Sequence, residues 1–207
     1  MSSMSAYDTP LALAITGASG ATYALRLLEV LLALGERVDL MVSAPGQVVI
    51  SMETALKLPG QPAGIQRLFS ERFGAKDGQL RVFGREEWTA PVASGSSAPR
   101  AMVVCPCTTG TLAGIASGSS QNLIERAADV VIKEGRKLVL VPRETPFSAI
   151  HLENMLKLAR LGVVILPPNP GFYQNPAAID DLVDFVVARI LDQLGIANTL
   201  SPRWGEP

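Results

Sequence analysis

The sequence lacks an excess of charge of either sign, and this excludes partners that need one. Its 207 residues carry 18 lysines and arginines against 19 aspartates and glutamates, a formal net charge of -1. Nucleic acids and anionic membrane surfaces are bound through clustered basic residues, and no polybasic run occurs here. We therefore expect a small-molecule ligand, with neither a nucleic acid nor a membrane as partner.

Cysteine, histidine and long apolar runs are also scarce. The chain has two cysteines, Cys105 and Cys107, and a single histidine, His151. These residues form no disulfide framework and supply too few ligands for zinc, so we interpret both cysteines as small buried hydrophobic residues. No apolar run reaches the roughly 18 residues that span a bilayer, and the first ten residues lack the features of a signal peptide. These absences predict a cytoplasmic protein without a metal site.

Short apolar runs alternate with segments of helical periodicity. Five mostly apolar runs do not alternate apolar with polar residues, as is typical of strands covered on both faces: residues 11–16, 38–43, 101–106, 138–142 and 163–167. Six segments between and after them have the period of a helix: residues 20–34, 45–57, 109–117, 122–135, 148–161 and 177–194. This order predicts an α/β protein, a doubly wound, Rossmann or flavodoxin-like, mostly parallel sheet with helices on both faces.

One domain over residues 1–207 is expected, because 48% of the residues are hydrophobic and no long linker divides the chain. Residues 1–10 are predicted to be a flexible N-terminus, and residues 196–207 a C-terminal tail. The stretch 58–100 is irregular and has room for an extra helix or hairpin.

Two turns follow predicted strands and open predicted helices. The first is Gly17-Ala18-Ser19-Gly20, in which the glycines allow close backbone approach and Ser19 either caps the helix or donates to a ligand. It is not the G-x-G-x-x-G dinucleotide fingerprint, and Ser43 stands where that fold would have an acidic residue. The second is Thr108-Thr109-Gly110-Thr111. Each is either a simple capped connection or part of a site for an anionic, nucleotide-like ligand.

Several cations and one tyrosine stand near strand ends or on one helix face. Arg126 and Lys133 are seven residues apart and share a helix face, and Arg143 and Glu144 directly follow a strand. The remaining two are Tyr173 and Arg189. Each is individually typical of a surface or capping residue, but together they suggest a pocket for a phosphate dianion.

At these residues the chain resembles the UbiX-type flavin prenyltransferases. The resemblance rests, in order and spacing, on TGASG, PCTTGTLAGIASG, NLIERAADVVIKE, the long segment 138–173, and the closing PRWGE. It implies transfer of a dimethylallyl group from dimethylallyl monophosphate to N5 and C6 of reduced FMN. The prenylated FMN would serve a UbiD-type decarboxylase. It further implies a homododecamer with sites at subunit contacts, where the tail containing Trp204 reaches a neighbour.

The resemblance also implies residue roles. The implied FMN-binding residues are Gly17, Ala18, Ser19, Ser43, Thr108, Thr109, Gly110, Thr111 and Arg126. The implied residues for the dimethylallyl phosphate are Lys133, Arg143, Glu144, Tyr173 and Arg189. Glu53 and Trp88 match positions beside the reacting groups, so the catalytic set comprises Glu144, Ser19, Glu53, Lys133 and Trp88.

The residue types suit such a transfer without a metal. Cations would neutralise the departing phosphate, Glu144 would protonate it, and the face of Trp88 would stabilise an allylic cation. Asp180-Asp181 is the only pair of adjacent aspartates, which does not amount to two aspartate-rich magnesium motifs. Two alternatives remain: an FMN-dependent decarboxylase of cysteine-derived thiols, and a non-catalytic FMN carrier. The former places its catalytic histidine in the first half of the chain, whereas His151 lies later and is interpreted as structural.

Overall fold

Six parallel strands form one sheet, in a computed structural model that describes residues 9–203 and 205. The strands are β1 (Leu11–Ile15), β2 (Val38–Val42), β3 (Leu80–Phe83), β4 (Ala101–Cys107), β5 (Lys137–Pro142) and β6 (Val164–Ile165). Their spatial order is β3-β2-β1-β4-β5-β6, and every neighbouring pair is parallel. The direction of winding therefore reverses between β1 and β4, the position where such sheets open a crevice for ligands.

In the described part of the chain, seven α-helices cover the two faces of this sheet. They are α1 (Ala21–Ala33), α2 (Ala44–Glu53), α3 (Pro62–Phe73), α4 (Thr109–Ser117), α5 (Leu123–Lys133), α6 (Ala149–Arg160) and α7 (Ile179–Leu194). Side chains of β1 alternate between two cores. Leu11, Leu13 and Ile15 pack with buried residues of α1, α3 and α7, whereas Ala12 and Ala14 pack with those of α4, α5 and α6. The predicted doubly wound α/β fold is confirmed.

The irregular stretch 58–100 contains both a helix and a strand. It forms α3 and then β3, a parallel edge strand rather than a hairpin. Arg81 of β3 binds Asp39 of β2 through two hydrogen bonds of 2.7 and 2.8 Å, and Asp39 is 1% exposed. Burial raises the pKa of Asp39, an effect that the Arg81 guanidinium only partly opposes. This charged pair explains why β3 does not have a continuous apolar pattern.

The two cysteines are buried in the core, and the histidine caps a helix. Cys105 and Cys107 are fully buried in β4, and burial raises the pKa of Cys107 to about 12. His151 Nδ1 accepts a hydrogen bond from the Ser148 backbone N–H, while Ser148 Oγ accepts one from the His151 N–H. This reciprocal pair begins α6, so the structural interpretation of His151 is confirmed.

The two chain ends lie partly outside the described residues. Of the predicted flexible segment 1–10, residues 1–8 are not described, and Trp204 in the predicted tail is likewise outside. Ser201 and Pro202 of the tail bind the side chain of Gln174. Within the described part of the chain, no helix is long and apolar enough to cross a bilayer.

Candidate functional site

A cavity of about 210 Å³, here called the strand-end cavity, lies at the carboxyl ends of the first four strands. Its walls come from the ends of β1 to β4 and from the starts of α2, α4 and α5. The lining residues are Thr16, Gly17, Met41, Val42, Ser43, Ala44, Pro45, Phe83, Arg85, Thr108, Thr111, Asn122, Leu123 and Ile124. Of the predicted cofactor-binding residues, Gly17, Ser43, Thr108 and Thr111 are thus brought together.

Three capped helix starts meet at this cavity. Ser43 Oγ accepts from the Gly46 N–H at 3.0 Å, and Thr108 Oγ1 accepts from the Thr111 N–H at 3.0 Å. Asn122 Oδ1 accepts from the Glu125 N–H, also at 3.0 Å. The N-terminal ends of helices carry partial positive charge and N–H groups without helical partners. The arrangement therefore offers donors and a favourable potential to an anion. Thr108 acts as a cap and lines the cavity at the same time.

Thr16 joins the two sides of the crevice. Its hydroxyl donates to the Pro106 carbonyl at 2.7 Å and accepts from the Thr108 N–H at 2.8 Å, and it is 2% exposed. These two bonds fix the end of β1 against the end of β4. Sequence reasoning assigned Thr16 only to a strand. The sequence does contain one sign of this role: Thr16 is a hydroxyl residue at the end of an otherwise apolar strand.

Gly17 permits a close approach between the first turn and α2. A Cβ atom at this position would lie 2.3 Å from Pro45 Cβ, far inside contact distance. Glycine is therefore required for Pro45 and Ser43 to sit beside the end of β1, and this contact forms one wall of the cavity. The expectation that Gly17 serves a close backbone approach agrees with this geometry.

The N-terminus of α1 is capped by a carboxylate from another helix. Glu53 at the end of α2 accepts hydrogen bonds from the Gly20 and Ala21 N–H groups at 2.9 and 2.8 Å. Gly20 is the N-cap residue with φ 112°, and no side chain of its own segment caps the helix. Ser19 is therefore not the cap; its hydroxyl is exposed and helps to lower the pKa of the Glu53 carboxyl instead.

These donors control the protonation of Glu53. Partial burial favours the neutral acid, but the Ser19 hydroxyl, the two backbone N–H groups and the charge of Arg143 outweigh it, so that the pKa of Glu53 is lowered. Glu53 is thus an ionised carboxylate beside Ser19. In this state it is able to accept a proton, as a general base must.

Glu53→Gln should make protein stability less sensitive to acid. Because the folded state lowers the pKa from the ordinary value of 4.5, ionised Glu53 stabilises the fold above that pH. This contribution is lost as the pH falls below 4.5 and through the lowered value. Urea unfolding between about pH 3 and pH 7 should show a shrinking difference between wild type and variant. Glu71→Gln, at an exposed carboxylate of α3, is the control, and an equal pH response of all three proteins would contradict the assignment.

Arg126 and Lys133 share one face of α5, as predicted, and both reach the segment 91–97. Arg126 Nε donates to the Ala93 carbonyl at 3.1 Å, and its guanidinium also pairs with Asp129 at 2.8 Å. Lys133 Nζ lies so near Gly95 that a Cβ there would be 2.7 Å away, and it pairs with Glu134 at 2.5 Å. Neither side chain lines the strand-end cavity.

Arg143 and Glu144 follow β5 at the same edge of the sheet as the cavity. Arg143 is exposed and contributes to the field at Glu53. Glu144 is half-buried, and its carboxylate accepts a hydrogen bond from the Thr145 N–H at 3.2 Å. Among the residues that the structure describes, Glu144 forms no ion pair with Arg143 or any other cation.

Tyr173 and Arg189 line a second depression of about 470 Å³, here called the C-terminal groove. The Tyr173 ring packs edge-on against Phe185 with centroids 5.9 Å apart, and Arg189 pairs with Asp192 at 2.8 Å. Trp88 is 47% exposed in the loop after β3. In a single copy of the chain, the predicted substrate-binding residues therefore lie on separate surfaces.

The remaining predicted residues lie close to these features. Ala18 is 6% exposed beneath the first turn, and Thr109 and Gly110 form the first turn of α4. Three further residues line the cavity but were not predicted from the sequence: Phe83, Arg85 and Asn122. Asn122 had a detectable signal, an amide residue directly before a helix, whereas Arg85 lies in the irregular stretch and had none. No cluster of three or more potential metal ligands occurs within residues 9–203 and 205.

Comparison with known proteins places these features in a family. The Flavoprotein family model matches residues 2–191. The flavin prenyltransferase UbiX of Pseudomonas aeruginosa is 60% identical over 194 residues, which cover 94% of this chain and 93% of that protein.

Solved structures show the same fold. The crystal structure of AnUbiX (PadA1) in complex with FMN and dimethylallyl pyrophosphate superposes with a TM-score of 0.84 at 39% identity, covering 96% of this chain and 98% of that one. A dodecameric FMN-dependent UbiX-like decarboxylase from Escherichia coli O157:H7 superposes with a TM-score of 0.83 at 41% identity, covering 95% and 100%.

Proposed function

Because this chain belongs to the Flavoprotein family and to its UbiX flavin prenyltransferases, we propose that it joins a dimethylallyl group to reduced FMN. The observation that carries the proposal is the 60% identity to a flavin prenyltransferase over nearly the full length of both chains. The strand-end cavity, with its three capped helix starts, supports it independently. We further propose dimethylallyl monophosphate as the donor and a cytoplasmic location.

The lining of the strand-end cavity fits FMN. Hydroxyl groups of Ser43, Thr108 and Thr111, together with helix N-termini, suit a phosphorylated polyol. At about 210 Å³ the cavity is smaller than the roughly 300–1,000 Å³ typical of sites for drug-sized ligands. We infer that it encloses the phosphate and ribityl chain, and that the ring extends past Ala18 and Ser19 toward Glu53.

The reaction then assigns roles to this chain's residues. Reduced FMN supplies the nucleophilic N5 and C6 atoms to which the dimethylallyl group becomes attached. Lys133, Arg143 and Arg189 stabilise the phosphate as its bond to the allylic carbon breaks, and Tyr173 helps to hold it. Glu144 gives a proton to the departing phosphate oxygen, and the face of Trp88 stabilises positive charge on the allyl group.

The protons released from the flavin need an acceptor near its ring. Glu53 is ionised and Ser19 helps to lower its pKa, so this pair is the first candidate, with Glu144 available once it has lost its own proton. Arg126 completes the FMN site from the face that α5 presents to the segment 91–97.

The separation of the predicted residues supports an oligomeric site. Tyr173 and Arg189 lie in the C-terminal groove, whereas Lys133 lies against Gly95 and Glu53 near Arg143. We propose that neighbouring copies in a homododecamer bring these surfaces together, as the dodecameric relative from Escherichia coli suggests. The prenylated FMN would then pass to a UbiD-type decarboxylase.

Neither alternative activity is favoured. A decarboxylase of cysteine-derived thiols would need a catalytic histidine, and His151 is used to begin α6. A flavin carrier would not need Lys133, Arg143, Glu144, Tyr173 and Arg189 together.

Anaerobic turnover followed by mass spectrometry of the flavin tests the proposal. The purified protein, incubated with reduced FMN and dimethylallyl monophosphate, should yield non-covalently bound prenylated FMN, both with and without a chelator. Dimethylallyl pyrophosphate in a parallel reaction measures donor preference. Unmodified flavin in every reaction would favour the carrier, and activity lost with chelator and restored by magnesium would contradict the metal-independent mechanism.

A further inference from the structure

We propose that Arg85 is an additional FMN-binding residue that neutralises the flavin phosphate in the strand-end cavity. This inference rests on the proposed function, because it takes FMN as the ligand. Arg85 belongs to the loop after β3 and lines the cavity together with Ser43 and Thr108.

The first supporting observation is the charge of the cavity. Among the described residues that line it, Arg85 is the only ionisable one, and the others are apolar or carry hydroxyl or amide groups. FMN has a phosphate that is largely dianionic at neutral pH. Hydroxyls and helix N-termini donate hydrogen bonds to such a group, but they leave its charge without a full counter-charge.

The second observation is that the Arg85 side chain has no partner among the described residues. Within residues 9–203 and 205 it forms no hydrogen bond or ion pair, although two glutamates follow it in sequence. Glu87 instead accepts a hydrogen bond from the Gly84 N–H at 2.9 Å. The guanidinium therefore does not have to break an ion pair within the chain before it binds a phosphate.

The third observation is that the backbone of Arg85 is fixed to the cavity wall. Its carbonyl accepts a hydrogen bond from the Leu123 N–H at 2.8 Å, at the first residue of α5. Glu125 in turn holds the start of α5, since its carboxylate accepts from the Ser119 hydroxyl, the Gln121 N–H and the Asn122 amide at 2.8 to 3.0 Å. The backbone of an exposed arginine is thus held at the cavity wall, which places its cation next to an anion bound inside.

Comparing FMN with riboflavin isolates the phosphate. Titrations of wild type and Arg85→Gln, followed by flavin fluorescence, should show FMN affinity reduced about 10-fold or more in the variant. Riboflavin, which has the same ring and ribityl chain without the phosphate, should bind both proteins equally. Arg85→Lys should recover part of the FMN affinity because it keeps the charge. Arg160→Gln, at an exposed arginine in the last turn of α6, should change nothing.

Each other outcome has a defined meaning. Unchanged FMN affinity in Arg85→Gln, or equal losses for FMN and riboflavin, would overturn the assignment to the phosphate. Wild type that binds riboflavin as tightly as FMN would overturn it as well. Wild type that binds neither flavin would instead overturn the proposed function. Circular dichroism confirms folding, and Arg85→Lys provides the second variant if the glutamine substitution does not fold.

Discussion

Replacing Glu144 by glutamine should slow flavin prenylation by about 10²-fold or more while FMN binding stays nearly intact. Glutamine has the same size and still accepts the hydrogen bond from the Thr145 N–H, but it cannot transfer a proton to the departing phosphate. The structure describes no ion pair that glutamine would break at this position. The loss should therefore appear in the rate of the chemical step and not in folding or cofactor affinity.

Single-turnover prenylation, measured anaerobically across pH, checks this result. At the pH where wild type is fastest, Glu144→Gln should be slower by about 10²-fold or more. Glu153→Gln, at an exposed carboxylate of α6, serves as the matched control and should react like wild type. If Glu144→Gln reacts within a few-fold of wild type at every pH, Glu144 is structural and another group supplies the proton.

Replacing Lys133 by alanine should abolish most prenyl transfer in a protein that still binds FMN. The resemblance to flavin prenyltransferases assigns the charge of Lys133 to the leaving phosphate and not to the flavin, and Lys133 lies outside the strand-end cavity, against Gly95. Removing one charged donor from a developing anion typically costs about 10²- to 10³-fold in rate. The Glu134 carboxylate, which pairs with Lys133 at 2.5 Å, would lose this partner in the variant.

Measuring FMN binding distinguishes a loss of this catalytic role from a general loss of structure. The purified variant should be as yellow as wild type, with an unchanged FMN dissociation constant and a much lower single-turnover rate. Lys157→Ala, at an exposed lysine of α6, removes the same side chain from a surface outside both depressions and should keep full activity. A folded but colourless Lys133→Ala protein would place Lys133 in the flavin site instead.

Local patterns were sufficient for most of the fold. Apolar runs mark β1, β4, β5 and β6 because strands covered on both faces have no polar side to interrupt them, and β2 shows the same pattern apart from Asp39. The pattern failed at β3, where Arg81 pairs with the buried Asp39 of β2. An edge strand whose arginine pairs with a buried carboxylate 42 residues away has no signature in its own four residues.

The sequence by itself determined the class of fold, the two turns that open helices, the shared face of Arg126 and Lys133, and the resemblance to flavin prenyltransferases. All of these depend on residues near one another in the chain or on motif order. Only the tertiary structure decided that Glu53, and not Ser19, caps α1, that Thr16 joins β1 to β4, and that Arg85 lines the cavity. Each of these contacts joins elements far apart in sequence, and their geometry is set by how strands and helices pack, which local periodicity does not encode.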